Sequence, residues 1–464
     1  MITLELILGS SVTLAVFLYF SIRKSNLVKE ESSYLLADRK TSLLPLVATL
    51  VMTEFNPSTL LAFSGAGYFA GVWALSLPFV FLVGLGFYTV SVAKKWKEWD
   101  GYSVAEVFEK KYGTGMGKLA SVLLILAMMG FSATYVKSLG LIFGGFFLNP
   151  NPWILNTSLV VLILVWNLWG GLVSIIRTDL VSFFAVIILL PILLIYPFIY
   201  FDLNINLFLS TVSIEDGRKI LPPGFILSLI LITMFTYIAA PWYGQKIFSA
   251  ASPAVAKKAV GISSAIVFLF YSLPLLAVIS LKAAGQILPA GQEGVPFIIQ
   301  NFFPDIAKGF AYIVLFAIGA TTLSGVWSAQ TTMFIGDFLG KEKKEKSNKS
   351  RAVLLTLGFS IVSLFLSNLL VDSILNQLIL ANIPVFALSF SLLAGFYWDK
   401  ASKPGAYLSA LIGVSWGSFT YFHFGQAENY TFYWAVIGLP LVFGSGVFFS
   451  LIFPDSNRIT SVKK

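Results

Sequence analysis

The chain has 464 residues, of which 57% are hydrophobic and 11% charged, and its formal net charge is +9. Soluble domains carry about 25% charged residues, so this composition excludes a soluble enzyme, a disordered chain and a nucleic-acid-binding protein. The sequence contains no Cys, which excludes a disulfide scaffold and a thiolate site. At about 20 apolar residues per crossing, the composition would fill about thirteen membrane helices.

Thirteen apolar segments are long enough to cross a membrane, which predicts an all-α membrane protein. Each segment is apolar on all sides, whereas a spanning β-barrel would alternate apolar and polar residues. The polar segments between them are too short to fold alone, so we expect one membrane domain over residues 1–464. In chain order the predicted spans are 2–22, 42–69, 71–96, 119–148, 152–174, 177–201, 223–247, 257–283, 306–339, 352–371, 374–397, 404–424 and 431–453.

The basic residues predict the orientation of these spans. If the N-terminus lies outside, 26 of the 31 Lys and Arg residues fall on the inner side of the membrane. Only Arg218, Lys219, Lys282 and Lys308 fall in outer segments. Because cytoplasmic loops carry an excess of Lys and Arg, we expect an outer N-terminus and a cytoplasmic C-terminus in the inner or plasma membrane of the cell.

Spans 2 and 7 each contain a helix-breaking cluster at similar depth. Proline removes a backbone donor and clashes with the preceding turn, so each helix is predicted to unwind there. Paired interrupted helices in corresponding positions point to the binding site of a transporter; two ordinary proline kinks are the alternative. The clusters read Met52-Thr53-Glu54-Phe55-Asn56-Pro57-Ser58-Thr59 and Ala239-Ala240-Pro241-Trp242-Tyr243-Gly244.

Glu54 lies within the first cluster. An ionisable residue at this depth is costly and marks a functional site by default. Its carboxylate could attract a cation, carry a proton or pair with a basic residue. The alternative is a structural carboxylate that accepts hydrogen bonds from helix N-terminal amides.

Lys137 is the one basic residue well inside a predicted span. Small residues at helical spacing favour packing against other helices rather than lipid, so we expect the ammonium group to point into the bundle. There a substrate carboxylate or Glu54 could neutralise it, whereas snorkelling to the outer headgroups is the alternative. Its helical neighbours are Gly130, Ala133, Thr134, Gly140, Leu141 and Gly144.

Span 9 carries a stripe of hydroxyl side chains. Hydroxyl oxygens, together with carbonyls of an unwound helix, suit a small hard cation. A Ser/Thr stripe is also typical of helix packing, so by itself it does not predict an ion site. The stripe consists of Thr321, Thr322, Ser324, Ser328, Thr331 and Thr332.

Six short motifs follow one another along the chain. They are Ala37-Asp38-Arg39 before the first broken helix, Ser64-Gly65-Ala66-Gly67-Tyr68 after it, Ser103-Val104-Ala105-Glu106 with Lys111-Tyr112-Gly113, Gly170-Gly171-Leu172 with Thr178-Asp179, Gln245-Lys246 with Ala250-Ala251, and Gly395-Phe396-Tyr397-Trp398 with Lys400 and Gly405-Ala406. Each motif is modest, but all six in order make the chain resemble the sodium:solute symporter family over nearly its whole length.

The resemblance implies a leucine-transporter-type fold with a five-plus-five inverted repeat in spans 2–11. Residues 1–41 would then hold an additional helix and a loop, residues 42–397 the ten-helix core, and residues 398–464 two further helices and a tail. The family's sodium ion is bound by carbonyls of the first core helix and hydroxyls of the eighth. Carried over by motif, its ligands are Met52, Phe55, Ile318, Thr321 and Thr322.

The resemblance also implies roles for residues near the sodium site and along the solute path. Glu54 lies where sodium/proline members carry an acidic residue near the site, and Asp179 corresponds to a cytoplasmic-side aspartate that assists sodium release. Lys137 lies in the core helix where sialic-acid members bind the substrate carboxylate. The inner gate is assigned to Trp242 or Tyr243 and the outer closure to Phe63 and Trp73; Thr59 and Gln377 complete the predicted substrate-binding and gating set.

The sequence departs from the family pattern in several places. Ser182 replaces a common Gln, and Leu323-Ser324-Gly325 follows the hydroxyl pair where the family carries Ala-Asp-Ser. Sugar-transporting members would carry an acidic residue near position 78 and a Lys in span 8. Pro78 stands at the first position and span 8 has no mid-span basic residue, which disfavours a sugar.

The predicted function is sodium-coupled secondary active symport, in which a small organic solute is imported by alternating access. If Lys137 is a ligand, the solute carries a carboxylate, as do amino acids, organic acids and sialic-acid-like compounds. Sodium is expected as the coupling ion, and the solute and the lipid bilayer are the other expected partners, without an obligate protein partner.

Other function classes remain open at this point. A symporter driven by protons through Glu54 is one alternative, and a non-transporting solute sensor is another. A sensor would normally carry a fused signalling domain, whereas this chain ends about ten residues after span 13. An enzyme is disfavoured, because the sequence shows no nucleophile–base pair or metal-binding constellation.

Overall fold

A computed structural model describes residues 3–22, 37–99, 101, 103–145, 150–167, 171–289, 293–339, 349–424 and 428–455. Within these ranges the chain is helical, and one isolated bridge between Thr41 and Ala250 is the β-structure present. This architecture confirms the all-α prediction.

The helices are short or interrupted at several points along the chain. Two 3-10 helices cover Ala37–Arg39 and Gly71–Leu75, and two π-helices cover Ile335–Leu339 and Tyr433–Ile437. The α-helices are α1 (Leu4–Ile22), α2 (Leu43–Glu54), α3 (Pro57–Ala70), α4 (Ser76–Ser91), α5 (Ala93–Trp99), α6 (Ala105–Tyr112), α7 (Thr114–Gly144), α8 (Pro152–Asn167), α9 (Gly171–Tyr200), α10 (Ile205–Ser210), α11 (Ile214–Ile220), α12 (Pro223–Tyr237), α13 (Pro241–Ser249), α14 (Pro253–Ala283), α15 (Gly294–Phe302), α16 (Asp305–Phe334), α17 (Lys349–Leu369), α18 (Ile374–Ala381), α19 (Ile383–Ala387), α20 (Ser389–Tyr397), α21 (Lys403–Phe424), α22 (Glu428–Phe432) and α23 (Gly438–Ile452).

The described residues contain several helices that fit a membrane. Eight helical segments are long and apolar enough to cross one, and a ninth qualifies if the bent pair α11 and α12 forms a single span. Three shorter apolar helices lie at Leu4–Phe17, Leu43–Glu54 and Pro152–Val165. A multi-pass membrane architecture is therefore confirmed, while the number of thirteen spans and the inverted repeat stay predictions.

One predicted span boundary is wrong, whereas predicted span 11 agrees with one apolar segment, Ile374–Tyr397, that contains internal divisions. Helix α9 begins at Gly171, so residues 171–174 belong to the sixth predicted span and not to the fifth. Predicted span 11 is divided into α18, α19 and α20, and Pro384 lies in the first turn of α19. Within residues 374–397 the apolar sequence continues across these divisions, so hydropathy does not register them.

The two predicted helix breaks are confirmed. Phe55 and Asn56 leave the helical conformation between α2 and α3, and 238–240 separate α12 from α13. Each second half-helix begins with proline, Pro57 in α3 and Pro241 in α13. Proline is tolerated at the first helical position because no intrahelical donor is needed there, so the same residue ends one half-helix and starts the next.

The two broken helices are tied together at one end. The Thr41 amide donates to the Ser249 carbonyl at 2.8 Å, and the Ala251 amide donates to the Thr41 carbonyl at 2.9 Å. Thr41 precedes α2 and Ser249 ends α13, so the chain leaves this junction along α2 and returns to it along α13. This arrangement brings the break that follows α2 close to the break that precedes α13.

Helix α1 packs against α16 through glycine. A Cβ atom on Gly9 would lie 2.4 Å from the Ile306 carbonyl oxygen, and one on Gly309 would lie 2.6 Å from the Leu6 carbonyl oxygen. Small residues allow this close approach of two backbones, which is how membrane helices gain packing energy. The predicted first helix is therefore docked on the helix that carries the Thr321/Thr322 pair.

Many residues behind the predicted orientation lie outside the described residues. These are Arg23, Lys24, Lys29, the run from Lys341 to Lys346, Arg458, Lys463 and Lys464, and Gly170 of the fourth motif does so as well. Among the described ones, Arg39 donates to the Gly101 carbonyl and Lys97 to the Phe248 carbonyl. The orientation of the chain in its membrane stays a prediction.

Substitution of Gly309 tests the docking of α1. The variant Gly309→Ala is expected to lower the free energy of unfolding by about 1–3 kcal/mol, because the added methyl group meets backbone atoms that cannot rotate away. Gly358→Ala in α17 is the matched control, since a Cβ there meets nothing within 4 Å. Thermal unfolding in detergent measures both, and equal stability of the two variants would contradict the close packing.

Candidate functional site

The break between α2 and α3 is held open by side chains. Asn56 Oδ1 accepts a hydrogen bond from the Thr59 amide at 2.8 Å, and Asn56 Nδ2 donates to the Glu54 carbonyl at 2.9 Å. The Asn56 amide donates to the Tyr271 hydroxyl at 3.0 Å, and that hydroxyl donates to the Glu54 carbonyl. Asn56 caps α3, as its residue type favours, and Tyr271 reaches in from α14.

These contacts release backbone carbonyls from the helical hydrogen-bond pattern. In a continuous helix the Met52 carbonyl would accept from the Asn56 amide and the Phe55 carbonyl from the Thr59 amide. Here the first amide donates to Tyr271 and the second to the Asn56 side chain. The carbonyls of Met52 and Phe55, both predicted to bind sodium, are therefore available to another partner.

The Thr321/Thr322 pair of α16 lies against these carbonyls. The Thr322 hydroxyl lies 3.0 Å from the Met52 carbonyl oxygen and 2.8 Å from that of Ile318. The Thr321 hydroxyl lies 3.2 Å from the same Ile318 oxygen. Four of the five predicted sodium ligands thus meet in one buried cluster, and Phe55 adjoins it at the break. Carbonyl and hydroxyl oxygens are the donors that a hard cation prefers.

A buried ion pair lies next to this cluster. Lys246 Nζ of α13 lies 2.9 Å from Asp179 Oδ2 of α9, and both side chains are almost completely buried. The ammonium group also donates to the Thr49 carbonyl at 3.1 Å, and the Thr49 hydroxyl donates to the same carboxylate. The Thr321 side chain also interacts with Asp179. Asp179, assigned by resemblance to sodium release, therefore adjoins the sodium-site cluster.

The sequence did not predict the role of Lys246. Lys246 is one of the 26 inner basic residues that predict the orientation, and it also belongs to the Gln245-Lys246 motif. Its neighbour Gln245 donates to the hydroxyls of Ser328 and Thr332 on α16. Lys246 follows a polar residue inside a half-helix that begins at a break. This pattern could have indicated that Lys246 has a buried partner.

The Glu54 side chain points away from the sodium ligands, toward α12. Its carboxylate accepts a hydrogen bond from Tyr237, the last residue of α12, so the two breaks are joined directly. The side chain is 2% exposed. Among the described residues, no Lys, Arg or His forms an ion pair with it. The expected pairing with Lys137 is not formed, and Asn56 caps α3 in place of the Glu54 carboxylate.

Tyrosine and phenylalanine side chains surround the Glu54 carboxylate. Electrostatic interactions connect it to Tyr135, Tyr237, Tyr243 and Tyr271, which come from α7, α12, α13 and α14. Phe81 of α4 stacks on Tyr271 with ring centroids 5.3 Å apart. The result is an aromatic enclosure around a single acidic group.

The predicted gating residues take different positions around this enclosure. Phe63 contacts Phe81 and Tyr271 with ring centroids 5.8 and 5.4 Å apart, and Thr59 is buried one turn earlier on α3. Trp242 packs on Tyr237 and Phe131, and Tyr243 packs on Tyr237 and Tyr88. The structure therefore brings Phe63, Trp242 and Tyr243 together at the breaks.

Trp73 and Gln377 make their contacts elsewhere. Trp73 Nε1 donates to the Leu221 carbonyl at 2.9 Å, and the Arg218 guanidinium lies 4.9 Å from the Trp73 ring centroid. Trp73 therefore packs against the residues that precede α12. Gln377 donates to the Leu370 carbonyl at 3.2 Å rather than to either break.

Lys137 lines a separate pocket. This pocket has a volume of about 460 Å³, and its walls come from α7, α8 and the start of α15. Lys137 shares it with Asn156, Glu293 and Gln300. Burial raises the pKa of the Glu293 carboxyl. The size suits a small organic molecule, but the pocket does not include Glu54 or the sodium-site cluster.

Comparisons with known proteins give a family match and similar folds. The sequence profile of the sodium:solute symporter family matches residues 34–413. A sodium/pantothenate symporter of Haemophilus influenzae is 23% identical over 426 residues, which is 86% of each chain. A substrate-bound, outward-open structure of a sodium-coupled sialic acid symporter is similar with a TM-score of 0.79 at 17% identity, and covers 97% of this chain and 98% of its own. MhsT in complex with L-phenylalanine is similar with a TM-score of 0.55 at 16% identity over 88% of this chain and 99% of its own.

The Lys246–Asp179 pair can be tested by a double-mutant cycle. Lys246→Met or Asp179→Leu alone is expected to cost about 3–5 kcal/mol of unfolding free energy, because each leaves a buried charge without its partner. The double variant is expected to recover most of that loss. Thermal unfolding measures all four proteins. Lys94→Ala, which breaks the exposed pair with Glu98, is the control, with an expected change within about 1 kcal/mol. Additive losses in the double variant would contradict the pairing.

Proposed function

Because the chain belongs to the sodium:solute symporter family, we propose that it imports a small organic solute by alternating access, driven by the sodium gradient. Sodium is the coupling ion of this family, and the protein is a transporter rather than an enzyme. Its residence in the inner or plasma membrane, with the N-terminus outside, is part of the proposal.

The observation that carries the proposal is the cluster in which the freed Met52 carbonyl meets the Thr322 hydroxyl. A sodium ion bound by Met52, Phe55, Ile318, Thr321 and Thr322 would hold α2 against α16. Because α2 ends at the break that carries Glu54, fixing α2 would also complete the solute pocket there. Sodium then favours the conformation that binds solute, which is the requirement for coupling.

The energy for uptake comes from the sodium ion itself. An inside-negative potential contributes about 2.3 kcal/mol per unit charge per 100 mV. We propose that sodium leaves toward the cytoplasm past Asp179, whose carboxylate Lys246 holds beside Thr321. Trp242 and Tyr243 would form the inner gate, and Phe63 and Trp73 the outer closure.

The identity of the solute is a separate part of the proposal. A carboxylate-bearing solute was predicted from Lys137, and Lys137 lies in the 460 Å³ pocket with Asn156 and Gln300. Its ammonium group could hold a solute carboxylate in that pocket, apart from the breaks. A requirement for Lys137 in transport would support this class of solute.

The sodium site can be tested by thermal stabilisation. Sodium at 100 times its dissociation constant should stabilise the purified protein by about 2.7 kcal/mol. We expect Thr322→Val, which keeps the shape and removes the oxygen ligand, to lower sodium affinity at least tenfold. Thr321→Ala/Thr322→Ala should abolish the effect. Thr356→Val is the control, because Thr356 pairs with Thr331 away from the cluster.

A different coupling ion would give a different result. If uptake into proteoliposomes persists without sodium and collapses with the proton gradient, Glu54 carries the coupling proton and the sodium site is wrongly assigned. If ligand binding is intact and neither gradient drives uptake, the protein is a sensor.

The role of Lys137 is tested by Lys137→Ala. If this residue binds a solute carboxylate, the loss of a charge-assisted hydrogen bond, worth about 1.5–3 kcal/mol, should reduce sodium-driven uptake of the carboxylate solute at least tenfold. Lys308→Ala, which breaks a local pair with Asp305, serves as the control. Unchanged uptake by Lys137→Ala would remove carboxylate recognition from this residue.

A further inference from the structure

Among the residues that the structure describes, the Glu54 enclosure is an acidic site without a basic partner. Lys246 is paired with Asp179, and Lys137 lies in the separate pocket. Neither of them forms an ion pair with Glu54. The Glu54 carboxylate keeps one hydrogen bond, from Tyr237. A carboxylate buried in a membrane protein is strongly stabilised by an opposite charge, so the enclosure is complementary to a cation.

The walls of the enclosure favour an organic cation. Phe81 and Tyr271 stack on each other, Phe63 packs on both, and Tyr237 and Tyr135 interact with the Glu54 carboxylate. Aromatic faces attract ammonium groups and surround them in recognition sites. All five rings are phenol or phenyl groups, and none carries a positive charge.

The same break offers little to an anion. Two amides at the start of α3 already have acceptors, because the Thr59 amide donates to the Asn56 side chain and the Asn56 amide donates to Tyr271. A carboxylate at this point would also be repelled by Glu54. A solute that carries only a negative charge is therefore poorly matched to the break.

We propose that the transported solute carries an ammonium group, a protonated amine or a quaternary ammonium, which binds Glu54 within the aromatic enclosure. This inference rests on the proposed symport function and names its substrate class. Sodium and the ammonium group occupy different sides of α2: sodium is held by carbonyls that face α16, and the ammonium group by a carboxylate that faces α12. This class includes cations and zwitterions, and the probes below distinguish the two.

The experiment uses matched pairs in which a carbon atom replaces the charged nitrogen. Choline, glycine betaine and L-proline are compared with their carbon analogues 3,3-dimethyl-1-butanol, 3,3-dimethylbutyrate and cyclopentanecarboxylate. Each is added to the purified protein in saturating sodium, and binding is measured by thermal stabilisation. At least one ammonium compound is expected to bind at least tenfold more tightly than its carbon analogue. Choline marks a purely cationic solute, and betaine or proline marks a zwitterion.

The variants assign the effect to Glu54. Glu54→Gln is expected to reduce binding of that ammonium compound at least tenfold while sodium alone still stabilises the protein, and Glu54→Asp should retain part of the binding. Glu98→Gln, which removes an exposed carboxylate, is the matched control and should bind as wild type.

Several outcomes would overturn the inference. One is equal binding of an ammonium compound and its carbon analogue, another is no binding of any ammonium compound in sodium, and a third is unchanged binding by Glu54→Gln. Loss of sodium stabilisation in Glu54→Gln would assign the carboxylate to sodium and also overturn it. Failure of the proposed function is separate, because it appears as absent sodium stabilisation of the wild-type protein.

Discussion

The structure depends on how an unwound backbone is satisfied inside a membrane. Water is absent there, so each carbonyl and amide that leaves the helix needs a partner from the protein or a ligand. At the first break Asn56 and Tyr271 take the amides, and they also supply donors to the Glu54 carbonyl. The carbonyls of Met52 and Phe55 remain outside the helical pattern; the Met52 carbonyl accepts from the Thr322 hydroxyl, and both carbonyls belong to the proposed sodium site.

The break between α2 and α3 therefore presents different chemical groups to two neighbouring helices, α16 and α12. Backbone carbonyls of α2 face the Thr321/Thr322 pair of α16, and the Glu54 carboxylate faces Tyr237 at the end of α12. Because both groups belong to the same few residues, a ligand at one cannot bind without fixing the backbone at the other. If sodium and solute bind at the proposed positions, this shared segment would couple them without a longer pathway through the protein.

The sequence predicted those features that local chemistry determines. Proline and polar residues within apolar spans indicated both breaks, whereas the assignment of sodium ligands to Thr321 and Thr322 came from the family resemblance. The sequence could not predict contacts between distant segments: Tyr237 is 183 residues from Glu54 and Tyr271 is 217 residues from it. For the same reason it missed the Lys246–Asp179 pair and assigned Lys137 to the bundle interior. Small neighbours show that a helix face is packed, but they do not show against what.

Charge balance links these sites to one another. Lys246 and Asp179 cancel each other beside the sodium cluster, so Glu54 is left as a fixed charge close to both proposed ligands. Two unit charges one helical turn apart repel by about 3 kcal/mol at an effective dielectric constant near 20. A carboxylate near both attracts each of them with an energy of the same order. The proposed sodium ion and ammonium group would therefore bind on different sides of α2 with Glu54 as a shared counterion, whereas a solute anion would compete with Glu54 for sodium.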